Sequence, residues 1–154
     1  DPEHIKKEDI PNMSIHAIRY AFEPGSVMKP IIFSTLLDKG RVNPYEILKA
    51  YNGSWQPKWR KTPIVDDEPK DWLSAENGLV YSSNIVLSQL ALRLDAYEIY
   101  NGLKIFGFSR LSSIDLPHEL RGSIRTLREY HYPIYKSTTA YGYGIGVTFI
   151  QLLK

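Results

Sequence analysis

The chain has 154 residues, 43% of them apolar and 23% charged, which is enough for one domain with a real core. A net charge of +2 is too small to imply a nucleic-acid partner by itself, and the absence of cysteine excludes disulfides and thiolate zinc sites. No apolar run approaches the roughly 18 residues needed to cross a bilayer.

Residues 1–22 are mixed and give no firm assignment, although "AIRYAF" fits a short extended piece before the turn signal Glu23-Pro24-Gly25. The opening "DPEHIKKEDIP" lacks the basic start and apolar stretch of a signal peptide. "VTFIQLLK" runs on in a helical apolar pattern without a glycine or proline stop. Both ends read as cut, so the chain is expected to be a fragment of a longer one.

Ser26 to Lys39 predicts a helix, with Gly40 just past its end. Val27, Met28, Ile31, Ile32, Phe33, Leu36 and Leu37 cover most of its circumference, the mark of a buried helix. Pro30 lies in the first turn, where it removes at most one hydrogen bond. Asn43-Pro44-Tyr45-Glu46 reads as a helix start and predicts about two turns, to near Tyr51. Residues 52–73 predict an irregular excursion, with a short strand in "TPIVDD" and an exposed acidic turn at Asp66, Asp67 and Glu68. Ser74 with Asn77 starts a short helix through Leu79 and Val80, and "SNIVLSQLALRL" predicts a second. Asp95-Ala96-Tyr97-Glu98 is a capping box for a third, ending near Gly107. Residues 108–135 predict a long surface stretch, "YGYGIG" a turn, and Thr148 the cap of a last helix.

Two short patterns bear on chemistry. Ser26 and Lys29 stand at i and i+3 of a helix start, so hydroxyl and amine share a face. A serine becomes a useful nucleophile when a base takes its proton, and burial favours the neutral lysine that could do so. The helix dipole would favour an oxyanion there. Against this, 13 Ser and 11 Lys make about one such spacing a chance event, and serine is an ordinary N-cap. Ser82-Ser83-Asn84, at the start of another apolar helix, can aim a hydroxyl and a carboxamide into one cleft, or can simply cap. His4, His16, His118 and His131 show no metal spacing. "GYGIG" lacks the last glycine of a dinucleotide fingerprint, and "KWRK" at 58–61 reads as a solvated loop.

Taken together, S-x-x-K followed by S-x-N resembles the signature of serine penicillin-recognising enzymes, with Ser83 in place of the usual aspartate. "YAFEPGSVMKP", "LVYSSNIVLSQLALRL", "FGFSRLSSIDLPHELRG" and "TAYGYGIGVTFIQLL" resemble, in order, segments of the class B penicillin-binding proteins. Ser26 and Ser82 are separated by 56 residues, which fits. "EPGS" and "YGYG" resemble the division-type branch. The family's third motif, K-T-G, is absent, and Lys136-Ser137-Thr138 lies on the wrong side of "YGYGIG" to replace it.

The resemblance implies an α/β (α+β) penicillin-binding transpeptidase fold. Residues 1–154 are expected to form a single partial transpeptidase domain, mainly the helical part with most of the antiparallel sheet missing. It implies a serine D,D-transpeptidase that cross-links peptidoglycan stem peptides at the septum, with β-lactams as covalent inhibitors and no cofactor. Ser26 would be nucleophile and donor of one oxyanion N–H, Lys29 its base, Ser82 a proton carrier to the leaving D-alanine, and Asn84 a partner of the substrate amide. Ser83, Gly142, Tyr143 and Gly144 would line the substrate surface. The full protein would be anchored in the inner membrane, facing the periplasm or extracytoplasmic space, beside other division and cell-wall synthesis proteins. Without the third motif this piece is expected to be inactive alone. A silent interaction module, or a β-lactamase or β-lactam sensor, remains the alternative.

Overall fold

The computed structural model describes residues 15–154. His4 and most of the opening segment lie outside them. In chain order, α1 (His16–Arg19) and β1 (Ala21–Phe22) lead to a 3₁₀ turn (Gly25–Met28) that runs into α2 (Lys29–Asp38). Then come β2 (Ile47–Lys49), a 3₁₀ turn (Tyr51–Gly53), β3 (Ser54–Trp55), β4 (Ile64–Val65) and β5 (Trp72–Ser74). Helices α3 (Ala75–Val80), α4 (Asn84–Ala91) and α5 (Ala96–Ile105) follow. A 3₁₀ turn (Glu129–His131), α6 (Pro133–Ala140), β6 (Val147–Thr148) and α7 (Phe149–Leu153) complete the described chain.

The centre of the molecule is α4. Ile85, Val86, Leu87, Leu90 and Ala91 are all fully buried, and the helix packs on α2, α3 and α6. Its buried Ser88 accepts a 2.9 Å bond from Ser137 of α6, so the one hydroxyl on that face is satisfied. The helix expected to be buried all round, α2, instead buries a wide face: Ile32, Phe33, Thr35 and Leu36 point inward, while Leu37, and Val27 on the preceding 3₁₀ turn, stay about half exposed. On α5, Gly102 is needed for close packing, because a Cβ there would lie 2.6 Å from the Thr35 methyl of α2.

Helix ends follow their local chemistry. Arg41 N–H bonds to Leu36 O and Gly40 N–H to Leu37 O, with Gly40 at φ +61°, a Schellman closure of α2. Gly107 closes α5 in the same way. Asp95 and Glu98 form the expected reciprocal box, with bonds of 2.7 and 2.8 Å.

Among the described residues the sheet content is small: three two-stranded antiparallel ladders, β1 with β6, β2 with β5, and β3 with β4. Three expectations need correction. First, Asn43-Pro44-Tyr45-Glu46 does not start a helix. Asn43 Oδ1 accepts from Tyr45 N–H and Glu46 from Asn43 N–H, but the chain then enters β2, which pairs Leu48 with Leu73. Second, the expected surface stretch 108–135 hides Phe108 and Tyr130, and a helix, α6, starts at Pro133. Third, "AIRYAF" is a helical turn before it is a strand.

Candidate active site

Ser26 sits on the 3₁₀ turn that feeds α2, and Lys29 is the first residue of α2. In a 3₁₀ turn, side chains three apart lie directly above one another. Ser26 is exposed, whereas Lys29 is only 1% exposed. The same order recurs at the second motif. Ser82 is exposed, on a turn between α3 and α4, and Ser83 behind it is buried.

Ser82 adopts φ +55°, a left-handed conformation that is strained for a residue with a Cβ. The turn is held from behind, where Ser82 N–H bonds to Leu79 O and Ser83 N–H to Gly78 O. A Cβ on Gly78 would collide with the Val86 side chain at 2.3 Å, so glycine lets α3 and α4 meet this closely.

The turn brings the two motifs together. Lys29 Nζ donates to Ser82 Oγ at 2.8 Å and also to the Ser82 carbonyl. Ser82 Oγ donates to Ser26 Oγ at 3.1 Å. An amine and two hydroxyls thus form one hydrogen-bonded chain, with Ser82 in the middle. The Lys29 ammonium is brought down to about 8 from its ordinary 10.5 because burial strips its hydration, partly opposed by the charges of Asp66 and Asp67. Such a chain can carry a proton from an exposed hydroxyl to a buried amine.

Asn84, the first residue of α4, donates from Nδ2 to Val65 O at 2.9 Å, so its carboxamide ties the turn to β4. Ser83, expected to line the substrate surface, is buried. Its hydroxyl accepts from Val86 N–H at 3.0 Å as the α4 cap and donates to Asp66 Oδ2 at 2.5 Å. Asp66 itself is 7% exposed, not part of an exposed acidic turn, and its other oxygen accepts from Ile85 N–H at 3.0 Å. Charge alone suggested solvent; the signal that could have placed it is the pattern Ile64-Val65-Asp66, in which alternate residues point inward and 64 and 66 are buried together.

The "YGYG" turn is pinned to the Ser26 segment. Gly25 N–H donates to Gly142 O at 3.2 Å, and Gly144 N–H donates to Glu23 Oε1 at 2.7 Å. At Gly142, φ +82°, a Cβ would lie 2.0 Å from Gly25 O, which only glycine avoids. Gly142 is buried and its N–H is spent on Thr139 O, so it serves as a spacer between the turn and Gly25. Gly144 is held similarly through its N–H, while Tyr143 projects, 53% exposed. Behind them Tyr141 packs with Ile64, Ile85, Trp55 and Trp59, and Arg60 of "KWRK" donates to Tyr141 Oη at 2.6 Å. That loop is therefore partly anchored. Lys136 points elsewhere, its ammonium on the Leu94 carbonyl.

The whole chain, residues 1–154, matches the family model described as penicillin binding protein transpeptidase domain. The chain belongs to this family. Among curated relatives, the transpeptidase-family chain is 28% identical to the probable peptidoglycan D,D-transpeptidase PenA of Neisseria gonorrhoeae, covering 100% of this chain and 26% of the relative. It is 28% identical to the peptidoglycan D,D-transpeptidase FtsI of Escherichia coli strain K12, covering 96% and 24%. The domain superposes on the TP domain of penicillin-binding protein 3 from Burkholderia pseudomallei with a TM-score of 0.84 and 30% identity, over 89% of this chain and 40% of that one. This supports the expected penicillin-binding transpeptidase fold, represented here by a helix-rich portion with little sheet. The chain spans about a quarter of the length of the curated relatives it matches. Among the described residues no helix is long and apolar enough to cross a membrane.

Proposed function

We propose that the protein containing this domain is a serine-type peptidoglycan D,D-transpeptidase of the division type. The observation that carries the reading is the hydrogen-bonded chain Lys29 Nζ–Ser82 Oγ–Ser26 Oγ. Ser26 Oγ attacks the carbonyl between the two terminal D-alanines of a stem peptide, and its proton passes to neutral Lys29, directly or through Ser82. The Ser26 N–H, at the start of a helical segment, donates to the oxyanion. The C–N bond then breaks. The departing D-alanine amine takes a proton by way of Ser82, leaving an ester on Ser26. Asn84 hydrogen-bonds the substrate amide and Tyr143 lines the peptide's path. An amine of a neighbouring stem peptide attacks the ester, the new amide forms, and Ser26 regains its proton.

A β-lactam follows the first step only: its strained amide opens onto Ser26 and no leaving amine departs. In this reading the full-length protein is anchored in the inner membrane, acts in the periplasm during septum formation, and works beside other cell-wall synthesis proteins. The D,D-transpeptidase names of the PenA and FtsI relatives support the reaction class.

The test is acylation of the full-length protein by a fluorescent penicillin, with Ser26→Ala as control and mass spectrometry of the adduct. A stable adduct on the Ser26 peptide supports the proposal. No adduct on a folded protein supports a silent module, and an adduct released within seconds supports a β-lactamase.

A further inference from the structure

Three consecutive residues after Ser82 are stapled to the end of β4. Ser83 Oγ donates to Asp66 Oδ2, Asn84 Nδ2 to Val65 O, and Ile85 N–H to Asp66 Oδ1. Asp66 supplies two of these three bonds from a buried carboxylate, and its own N–H is tied to Gly53 O at 3.0 Å. A carboxylate at the first turn of α4 also meets the positive end of the helix dipole. We propose that Asp66 is a positioning residue for acyl transfer: through Ser83 and the first turn of α4 it sets the strained turn that places Ser82 between Lys29 and Ser26.

This rests on the acyl-transfer reading above. It goes further, because Asp66 touches neither Ser26 nor a substrate and acts through other residues. The turn needs such a clamp. A left-handed serine is strained and persists only where its surroundings over-determine it. Two backbone bonds hold the α3 side of Ser82, and Asp66 holds the α4 side.

The carboxylate has a second consequence. Among the described residues, the charges that bear on the Lys29 ammonium are Asp66 and Asp67, neither bonded to it; the amine's hydrogen bonds go to the Ser82 hydroxyl and carbonyl. Both carboxylates favour the charged amine, so they delay the proton release that would make Lys29 a base. Asp66 therefore combines a geometric contribution with an electrostatic one of opposite sign. Ser83 shares only the first, and the exposed Asp67 only the second.

Three variants of the full-length protein separate these contributions: Asp66→Asn, Ser83→Ala and Asp67→Asn. The readout is the rate of acylation by fluorescent penicillin against pH, with thermal melting to confirm folding. Wild type is expected to rise through a midpoint of about 8 to a plateau. Ser83→Ala lowers the plateau on the order of 10-fold, as small misplacements do, and leaves the midpoint in place. Asp67→Asn moves the midpoint to lower pH and leaves the plateau unchanged. Asp66→Asn does both.

If folded Asp66→Asn keeps the wild-type plateau, or if its midpoint does not fall, the inference is overturned. Should Asp66→Asn not fold, Ser83→Ala and Asp67→Asn decide it: an unchanged plateau in the first, or an unmoved midpoint in the second, overturns the inference. Absence of any adduct in wild type would sink the acyl-transfer reading instead, so the two failures are distinguishable.

Discussion

Two kinds of serine stand at helix starts in this domain, and they differ in what their hydroxyls do. Ser74 and Ser83 cap: Ser74 Oγ accepts from Asn77 N–H and Ser83 Oγ from Val86 N–H, each at 3.0 Å. Ser26 and Ser82 do not cap. Their hydroxyls bond to each other, and Ser82 also to Lys29. A hydroxyl spent on a backbone N–H is a structural group, worth about 1 kcal/mol to its helix. One left uncommitted at a turn and aimed at a buried amine is available for chemistry. Residue type does not separate the two kinds; the backbone does. Ser83, with φ −66°, ψ 117°, has cap geometry, whereas Ser82, with φ +55°, is rotated out of it.

The contrast can be broken experimentally, the largest effect coming first. Ser26→Ala should abolish covalent labelling by penicillin while leaving the melting temperature close to wild type, since the residue is exposed and caps nothing. Lys29→Met should keep the fold, because a methionine of similar length fills the same buried space, but reduce acylation about 10²–10⁴-fold, the usual range for a lost proton acceptor. Retention of wild-type acylation by the Met variant would remove lysine from the relay.

The next effect is on the scaffold. Gly142→Ala should destabilise the protein by about 1–3 kcal/mol, because its Cβ would lie 2.0 Å from Gly25 O at φ +82°. Labelling should fall with it, as the Ser26 segment shifts. Urea titrations of the variant and wild type, compared with labelling under conditions where both are folded, measure the two consequences separately.

A smaller effect concerns pH and stability. Burial lowers the Lys29 pKa in the folded protein to about 8, below its ordinary 10.5. Between those values the unfolded chain holds a proton that the folded chain has released. The Lys29 contribution to stability therefore rises with pH across that window and is flat below it. Subtracting the pH profile of Lys29→Met from that of wild type isolates this contribution; a difference that falls across the window contradicts the assignment. Smallest of all, Ser74→Ala should cost about 1 kcal/mol through the lost cap and leave penicillin labelling unchanged. An acylation defect there would erase the distinction between capping and reacting serines.

The same comparison shows where reading the chain worked. The ends of α2 and α5, the starts of α3 and α5, and the short strand at Ile64–Val65 were legible because one or two adjacent residues decide each of them. Asn43–Glu46 and Asp95–Glu98 carry nearly the same start signal and reach different ends. After Asp95, Ala96, Ile99 and Leu103 recur at helical spacing and are buried on one face. After Asn43, Leu48 and Ala50 alternate with exposed Ile47 and Lys49, which suits a strand paired with Trp72–Ser74. The downstream period outweighed the cap, and a partner more than twenty residues away made it pay. Asp66 was misplaced for a related reason: a carboxylate looks like surface until its long-range partners, Ser83 and Ile85 N–H, are known.

The sequence by itself determined the two motifs, their order and their separation, because those are properties of covalent position and residue type. It also determined the nearby helix ends, where donors and acceptors lie within one turn of each other. Only the tertiary structure decided that Ser82 stands between Lys29 and Ser26, that Ser83 faces inward, and that Gly142 touches Gly25. Each depends on groups 17 to 117 residues apart brought together by the packing of α4 against its neighbours. Hydrogen bonds act over about 3 Å, and no distance along the chain predicts which groups will share that space.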